Sequence, residues 1–284
     1  MVVPLITKYM ENPKKICIYS FYYKDTEIPI DGNIYCPIMA GNAIHPNHMG
    51  IKGDDSGDSI SEKNLYYSEL TGIYWVWKNT KQEITGTCHY RRYFTFKKEP
   101  FDMTIKRIIY FFLGLHKKRH GLIYTNNIER FRKGILNETE VSAVFQNYDA
   151  ILPVQRKLKY SVKEHYRRYH NLNDLKIIEE IIESKHPEYL PSFHTTLNSS
   201  RLYANNMFIV KEQHFQRLMN WLFSVLFEFE KRINLENYTG YQQRIFGFIG
   251  ERLLTVWVNH ENLKIKELPV IYFKKLKIQT GYNN

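Results

Sequence analysis

Cysteine is scarce in this chain, and its spacing carries as much information as its number. The 284 residues hold three, Cys17, Cys36 and Cys88, far apart and with no Cys-x-x-Cys pair. That excludes a disulfide framework and a thiolate zinc site, and it leaves a reducing cytoplasm as the expected setting. Long apolar runs are also missing. No stretch of about eighteen apolar residues occurs, and residues 1–15 carry no apolar segment behind a basic start, so neither a membrane span nor a signal peptide is expected. The chain contains no Gly-x-x-x-x-Gly-Lys-Ser/Thr loop, no Gly-x-Gly-x-x-Gly and no Gly-x-Ser-x-Gly, which sets aside the nucleotide loops and the nucleophile elbow built on those glycines. His45 and His48 stand close together without a third ligand in spacing, so zinc is not expected there. Acidic residues are outnumbered, 29 against 40 Lys and Arg, giving a formal net charge of +11. Such a surplus points to anionic company, whether a phosphorylated ligand, nucleic acid or the acidic face of a membrane.

What is present is enough apolar residue, 43% of the chain, for a substantial core. Lys15–Ser20, Ile34–Met39, Ile84–Cys88, Asp149–Pro153, Asn205–Lys211 and Lys264–Leu268 are short apolar runs bounded by polar segments, and they read as strands. Between them, Tyr66, Leu70, Ile73 and Trp77 share one helical face behind a cap at Asn64. Asn137 with Glu140 forms a capping box, Ser161 with Glu164 repeats it, and helices are predicted over Asp174–Lys185, Glu212–Arg232 and Ile249–Asn259. His186–Ser200 reads as a loop. The alternation predicts an α/β fold, a mostly parallel sheet flanked by helices in one domain. Residues 101–138 break the rhythm and read as a helical insertion. Within it, Ile108–Leu115 lies between Lys106-Arg107 and His116–His120. Two readings of that segment stand: a core helix with solvated ends, or a basic amphipathic patch for peripheral contact with an anionic membrane.

Five groups could carry chemistry. His89-Tyr90-Arg91-Arg92-Tyr93 follows the strand Ile84–Cys88, where open α/β sheets place their ligands. Two adjacent arginines on a strand cannot both face solvent, so one should need an anion or a core carboxylate. Asp54-Asp55-Ser56-Gly57-Asp58 concentrates carboxylates before a helix. It is not an EF-hand, because Ser59 and Leu65 stand where Gly and Glu are required. A cation site, hydroxyl acceptors, a catalytic base and plain turn-forming residues remain open for it. Phe21-Tyr22-Tyr23-Lys24 offers aromatic faces and a cation after the first strand. Asn205-Asn206 pairs two amides at a strand entry, and Glu251-Arg252 reads best as a structural ion pair.

The blocks Gly53–Asn64, Glu69-Leu70-Thr71, Tyr74–Asn79 and His89–Phe94, followed by Asn206–Ile209, Trp221-Leu222-Phe223 and Gly250–Leu254, resemble a family of bacterial capsular and exopolysaccharide glycosyltransferases long classed as a domain of unknown function. The resemblance implies a GT-A-like fold and transfer of a sugar from a UDP-sugar donor, with UDP-galactofuranose used by some relatives. It also implies a lipid-linked saccharide acceptor at the inner face of the cell membrane. On that reading Asp55, Asp58 and Glu251 are the candidate bases. Tyr22, Lys24, Asp54, His89, Arg91 and Arg92 are assigned to the nucleotide and its diphosphate, and Asn205, Asn206 and Tyr93 to sugar or acceptor. GT-A enzymes usually place Asp-x-Asp at the end of the central strand to hold a divalent ion. His89-Tyr90-Arg91 takes that place here, so no metal ligands are assigned, and the arginines with His89 are expected to do part or all of the metal's work. Mn2+ or Mg2+ stays admissible as a cofactor. Two other classes compete: a nucleic-acid-binding protein, for which no recognisable module is present, and a non-catalytic scaffold of polysaccharide assembly.

Overall fold

The computed structural model describes residues 15–277 apart from 31, 33 and 115–120. Seven strands lie side by side. β1 (Ile16–Tyr22) pairs in parallel with β2 (Tyr35–Met39), which carries the short β3 (Lys52–Gly53). After α1 (Asn64–Tyr67) and α2 (Leu70–Asn79), β4 (Ile84–His89) returns parallel to β1 on its other side. All seven residues of β1 are buried, the pattern of a strand covered on both faces. Cys17, Tyr19 and Phe21 enter one apolar cluster and Ile16 and Ile18 the other, because alternate side chains leave opposite faces.

β5 (Arg92–Phe94) folds back on β4. Then come α3 (Phe101–Phe112), β6 (Leu122–Thr125), α4 (Ile128–Arg132), α5 (Glu138–Val144), β7 (Ala150–Pro153) and β8 (Arg156–Lys157). The helices α6 (Val162–Tyr169), α7 (Leu172–Lys185) and α8 (Leu190–Asn198) lead to β9 (Arg201–Leu202) and β10 (Phe208–Lys211). The chain ends in α9 (Glu212–Arg232), α10 (Ile245–Glu261), β11 (Ile265–Leu268) and β12 (Val270–Phe273). The sheet runs β11-β7-β10-β4-β1-β2-β3, with β10 antiparallel to its neighbours, and β12 joins β5 to β6 at one side. This is the expected α/β architecture. Gly86 in β4 is needed for it, since a Cβ there would stand 2.9 Å from both Ile18 and Ile209 on the flanking strands.

Several expectations are corrected. The helix behind Asn64 is two helices, broken where Ser68 takes a positive φ of 53° and its carbonyl accepts from Asn64 and Thr71. His186–Ser200 is mostly α8, entered through a 3-10 turn at Pro187–Tyr189. α10 begins four residues earlier than predicted, and β12 was not predicted at all. The strand read from Asn205 begins at Phe208, after a turn in which Asn205 and Asn206 both have positive φ. Residues 101–138 hold α3 and α4 but also β6, a strand of the main sheet. The cysteines are not all isolated: β1 and β2 bring Cys17 and Cys36 together as a disulfide, and Cys88 is buried and free. The capping boxes fare better. Asn137 and Glu140 cap each other's backbone, and Ser161 accepts from the Glu164 amide. Of the basic flank of Ile108–Leu115, residues 115–120 lie outside the described ones.

Candidate active site

The His-Tyr-Arg-Arg-Tyr segment is a tight hairpin at the carboxyl end of β4. His89 is the last residue of β4, Tyr90 and Arg91 make the turn, and Arg92 opens β5 opposite His89. The turn is held from inside. The Tyr93 hydroxyl donates to the Tyr90 carbonyl at 2.9 Å and lies 3.2 Å from the Tyr22 hydroxyl, while the Tyr90 amide donates to the Phe21 carbonyl.

The guanidinium groups of Arg91 and Arg92 flank one ring. Each lies 4.9 Å from the centre of Tyr272, which pairs with Arg92 across β5 and β12. Among the described residues neither arginine has a carboxylate within ion-pair distance, and the buried Nε of each has no hydrogen-bond partner. Burial lowers the Arg92 pKa, as expected of a cation stripped of water and short of a counter-ion, although a guanidinium stays charged. Two like charges around one phenol ring, Arg92 among them stripped of water by burial, leave an unmet demand for an anion.

Around them stand groups from four other segments. The break at Ser68 sets Glu69 at the start of α2, where its Oε1 accepts from Asn206 Nδ2 at 2.8 Å and its Oε2 lies 3.6 Å from the Arg244 guanidinium. Burial works to raise the Glu69 pKa, but the charges and donors at His89, Asn206 and Arg244 outweigh it and hold the group below the usual carboxylate range. His89 is pushed down to about 4, by burial first and by Arg92 next, so it is neutral at pH 7. Its Nε2 lies 2.7 Å from the Asn205 carbonyl, which can only accept, so that nitrogen carries the proton. Glu251 Oε1 accepts from the Asn205 amide at 2.7 Å and Oε2 from the buried Arg252 at 3.1 Å. Glu69 and Glu251 both act on Arg92 through space.

The residues singled out from the sequence divide sharply. Arg91, Arg92, His89 and Glu251 come together, and Asn205 joins them through its backbone. His89, neutral, is not the cation it was expected to be. Asn206 is buried, and its Nδ2 is spent on Glu69 and the Gly247 carbonyl, so that nitrogen holds the site together. Tyr22 and Tyr93 are fully buried and have no surface for a ligand. Lys24 is exposed, 5.7 Å from the ring of Tyr23, whose hydroxyl bonds to Tyr90 beside the hairpin.

The acidic loop serves the fold. Asp54 is fully buried. Its oxygens accept from the Gly41 and Asn42 amides at 3.0 Å and from the Ser61 hydroxyl, fixing a turn in which Gly41 has φ +77°. Asp55 accepts from Asn42 Nδ2 at 2.8 Å, and Asp58 from the Tyr74 hydroxyl at 2.9 Å and, through its amide, binds Asn79. Asn79 ends α2, about 15 Å along the axis from Glu69 at 1.5 Å per residue, so Asp58 is not at the arginine cluster. Three site residues escaped the sequence reading: Glu69, Arg244 and Tyr272. Glu69 lies in one of the blocks that carry the family resemblance, which gave it no role. Tyr272 lies on the strand that was missed.

Among the described residues no three His, Cys, Asp or Glu side chains converge as metal ligands. At the strand end the two nearby carboxylates, Glu69 and Glu251, are already engaged by protein donors, which does not fit a two-carboxylate cradle.

Against known proteins, the profile of the family described as "Domain of unknown function (DUF4422)" matches residues 17–262. Among solved structures the chain is similar to the apo structure of WbbM, described as a bifunctional glycosyltransferase. The two are 30% identical with a TM-score of 0.81, over 95% of this chain and 47% of WbbM, so the chain spans about half of that protein's length. No protein of curated function matches.

Proposed function

The chain belongs to the DUF4422 family, and from that membership and the arginine pair we propose that it transfers a hexose from a UDP-sugar, with UDP-galactofuranose a candidate donor, to a hydroxyl of a saccharide acceptor in surface-polysaccharide synthesis. One observation carries the reading. Two partnerless guanidinium groups flank Tyr272 at the carboxyl end of the central parallel strand, the place and chemistry that a departing diphosphate requires. The likeness to WbbM supports glycosyl transfer as the class of reaction.

In this mechanism the acceptor oxygen attacks the anomeric carbon as its proton passes to a carboxylate. The bond from that carbon to the diphosphate oxygen breaks, and the electron pair leaves with the diphosphate toward Arg91 and Arg92. Glu69 and Glu251 replace the acidic-loop residues as candidates for the base, since both act through space on Arg92. Neutral His89, its Nε2–H fixed on Asn205, holds the two strand ends in register.

α3 suits the second part of the reading, contact with an anionic membrane where a lipid-linked acceptor would lie. None of its residues is buried, and Phe101, Ile108, Ile109, Phe111 and Phe112 are half or more exposed beside Lys106 and Arg107. Among the described residues no helix is long and apolar enough to cross a membrane. Ile108→Glu should weaken binding to phosphatidylglycerol vesicles and leave UDP binding intact.

The test is a thermal-shift series with UDP, UMP and UDP-hexoses, with and without Mn2+. UDP should raise the melting temperature without metal, by the equivalent of about 2.7 kcal/mol at a hundredfold excess over Kd. The rise should vanish in Arg91→Ala/Arg92→Ala. No shift with any of these ligands overturns the reading. Activity lost in EDTA and restored by manganese would overturn the arginines' part in it.

A further inference from the structure

Away from the hairpin, a cavity of about 470 Å3 opens between the α6–α7 turn, the carboxyl end of α9 and the segment that follows it. That is within the range of small-molecule sites, about 300–1,000 Å3. Its cations are already spent. Arg168 bonds to Glu164 at 2.8 Å and lies 4.0 Å from the centre of the Tyr160 ring, and Arg232 is shared between Glu228 and Glu180. His170 is pushed down to about 4, chiefly by burial, and its Nδ1 is 2.9 Å from the Gln242 carboxamide oxygen. The lining therefore holds no cation awaiting an anion.

What it does hold is amides. Asn171 and Asn234, both exposed, spend their Oδ1 on capping backbone amides, at 3.0 Å from Asn173 and from Glu236, and among the described residues neither Nδ2 donates within the protein. The side-chain amides of Asn173 and Asn237 make no hydrogen bond within the protein, among the described residues. Beside them Tyr169 leaves 62% of its surface exposed, a flat apolar face with a polar tip. Unspent amide donors and acceptors around an open aromatic ring match a ligand with many neutral hydroxyls and an apolar ring face.

The cavity also adjoins the candidate active site. Gln242, which donates to the Tyr169 carbonyl, sits in the same 3-10 turn (Gly240–Arg244) as Arg244, the partner of Glu69. The His170 ring lies 4.3 Å from that of Phe248, tilted by 34°, and Phe248 is one helical turn before Glu251.

We propose that this amide-lined cleft binds a neutral oligosaccharide, the non-reacting sugars of the acceptor chain. The assignment to an acceptor rests on the glycosyl-transfer reading above; binding of a neutral saccharide does not.

The experiment is saturation-transfer NMR of the full chain with methyl glycosides of glucose-, galactose- and mannose-based tetrasaccharides, with the UDP melting shift recorded on the same samples. At least one tetrasaccharide should bind, and Tyr169→Ala should weaken it about fivefold, the loss of one ring contact. The exposed pair Asn173→Ala/Asn237→Ala should weaken it comparably, and the UDP shift, which reports both folding and the other site, should stay unchanged. The proposal is overturned if none of the three binds, if only a charged oligosaccharide binds, or if neither variant changes the affinity. Saccharide binding without a UDP shift sustains the cleft and sinks the glycosyl-transfer reading. A UDP shift without saccharide binding does the reverse.

Discussion

The hairpin at His89–Arg92 and the loop at Asp54–Asp58 look alike as sequence, each a dense cluster of one charge beside a strand end, yet they differ in what their charges touch. In the loop every carboxylate is answered by the chain's own donors: Asp54 by two backbone amides and a hydroxyl, Asp55 by Asn42, Asp58 by Tyr74. In the hairpin the two guanidinium groups have only an aromatic ring between them. The loop carboxylates are held by donors of the fold, whereas guanidinium groups left without a counter-ion mark where an anion can bind.

The contrast is broken or sharpened most strongly by exchanging the two outcomes. Arg91→Ala/Arg92→Ala should lower kcat/KM by at least about a hundredfold, as loss of charge-stabilising donors does, with the melting temperature kept or raised because a repulsion is removed. Asp54→Asn should do the opposite. It should cost about 2–4 kcal/mol of stability, on the scale of lost charged hydrogen bonds, and leave kcat/KM of the folded protein within a few-fold. An Asp54→Asn enzyme that folds normally but does not turn over would erase the distinction.

Next in size is the base. Replacing it should cut kcat by about 10²–10⁴. Glu69→Gln and Glu251→Gln compared in parallel should therefore differ by an order of magnitude or more, and equal, mild effects in both would remove the base from this end of the sheet. A loss of stability is expected from acid. His89 and His170 both titrate near 4 in the folded chain, against an ordinary value near 6.5. Between those limits the unfolded chain binds protons that the folded one refuses. Stability is then full above pH 6.5, falls as the pH drops to about 4, and levels off below. The urea midpoint followed against pH should show this decline, and His89→Asn should remove about half of it and leave the part due to His170. Smallest of all is Asp58→Ala. It removes one hydrogen bond to Tyr74 at an exposed position, which should cost at most about 1 kcal/mol and nothing in turnover, and a large loss of activity would return the loop to the site.

Much of the fold could be read locally. β1 and β4 were visible as short, uninterrupted runs of buried residues, α9 because its apolar spacing is that of a helix, and the Asn137–Glu140 box because both partners lie within one helical turn. α8 was missed because proline and serine in residues 187–199 imitate a loop, although Pro191 and Pro187 fall in the first turns where proline is tolerated. The split at Ser68 was missed because the apolar spacing runs unbroken across it, and with it went Glu69, whose place depends on that break.

By itself the sequence determined the alternation of strands and helices, the basic surplus, and the presence of an arginine-bearing segment behind a buried strand, because each is a property of neighbouring residues. Only the tertiary structure decided which charges are satisfied. Asp54 meets its donors across a turn formed by another loop, and Tyr272 reaches Arg91 and Arg92 from the far end of the chain. Partnership between side chains depends on distance in space, and chain separation does not fix that distance.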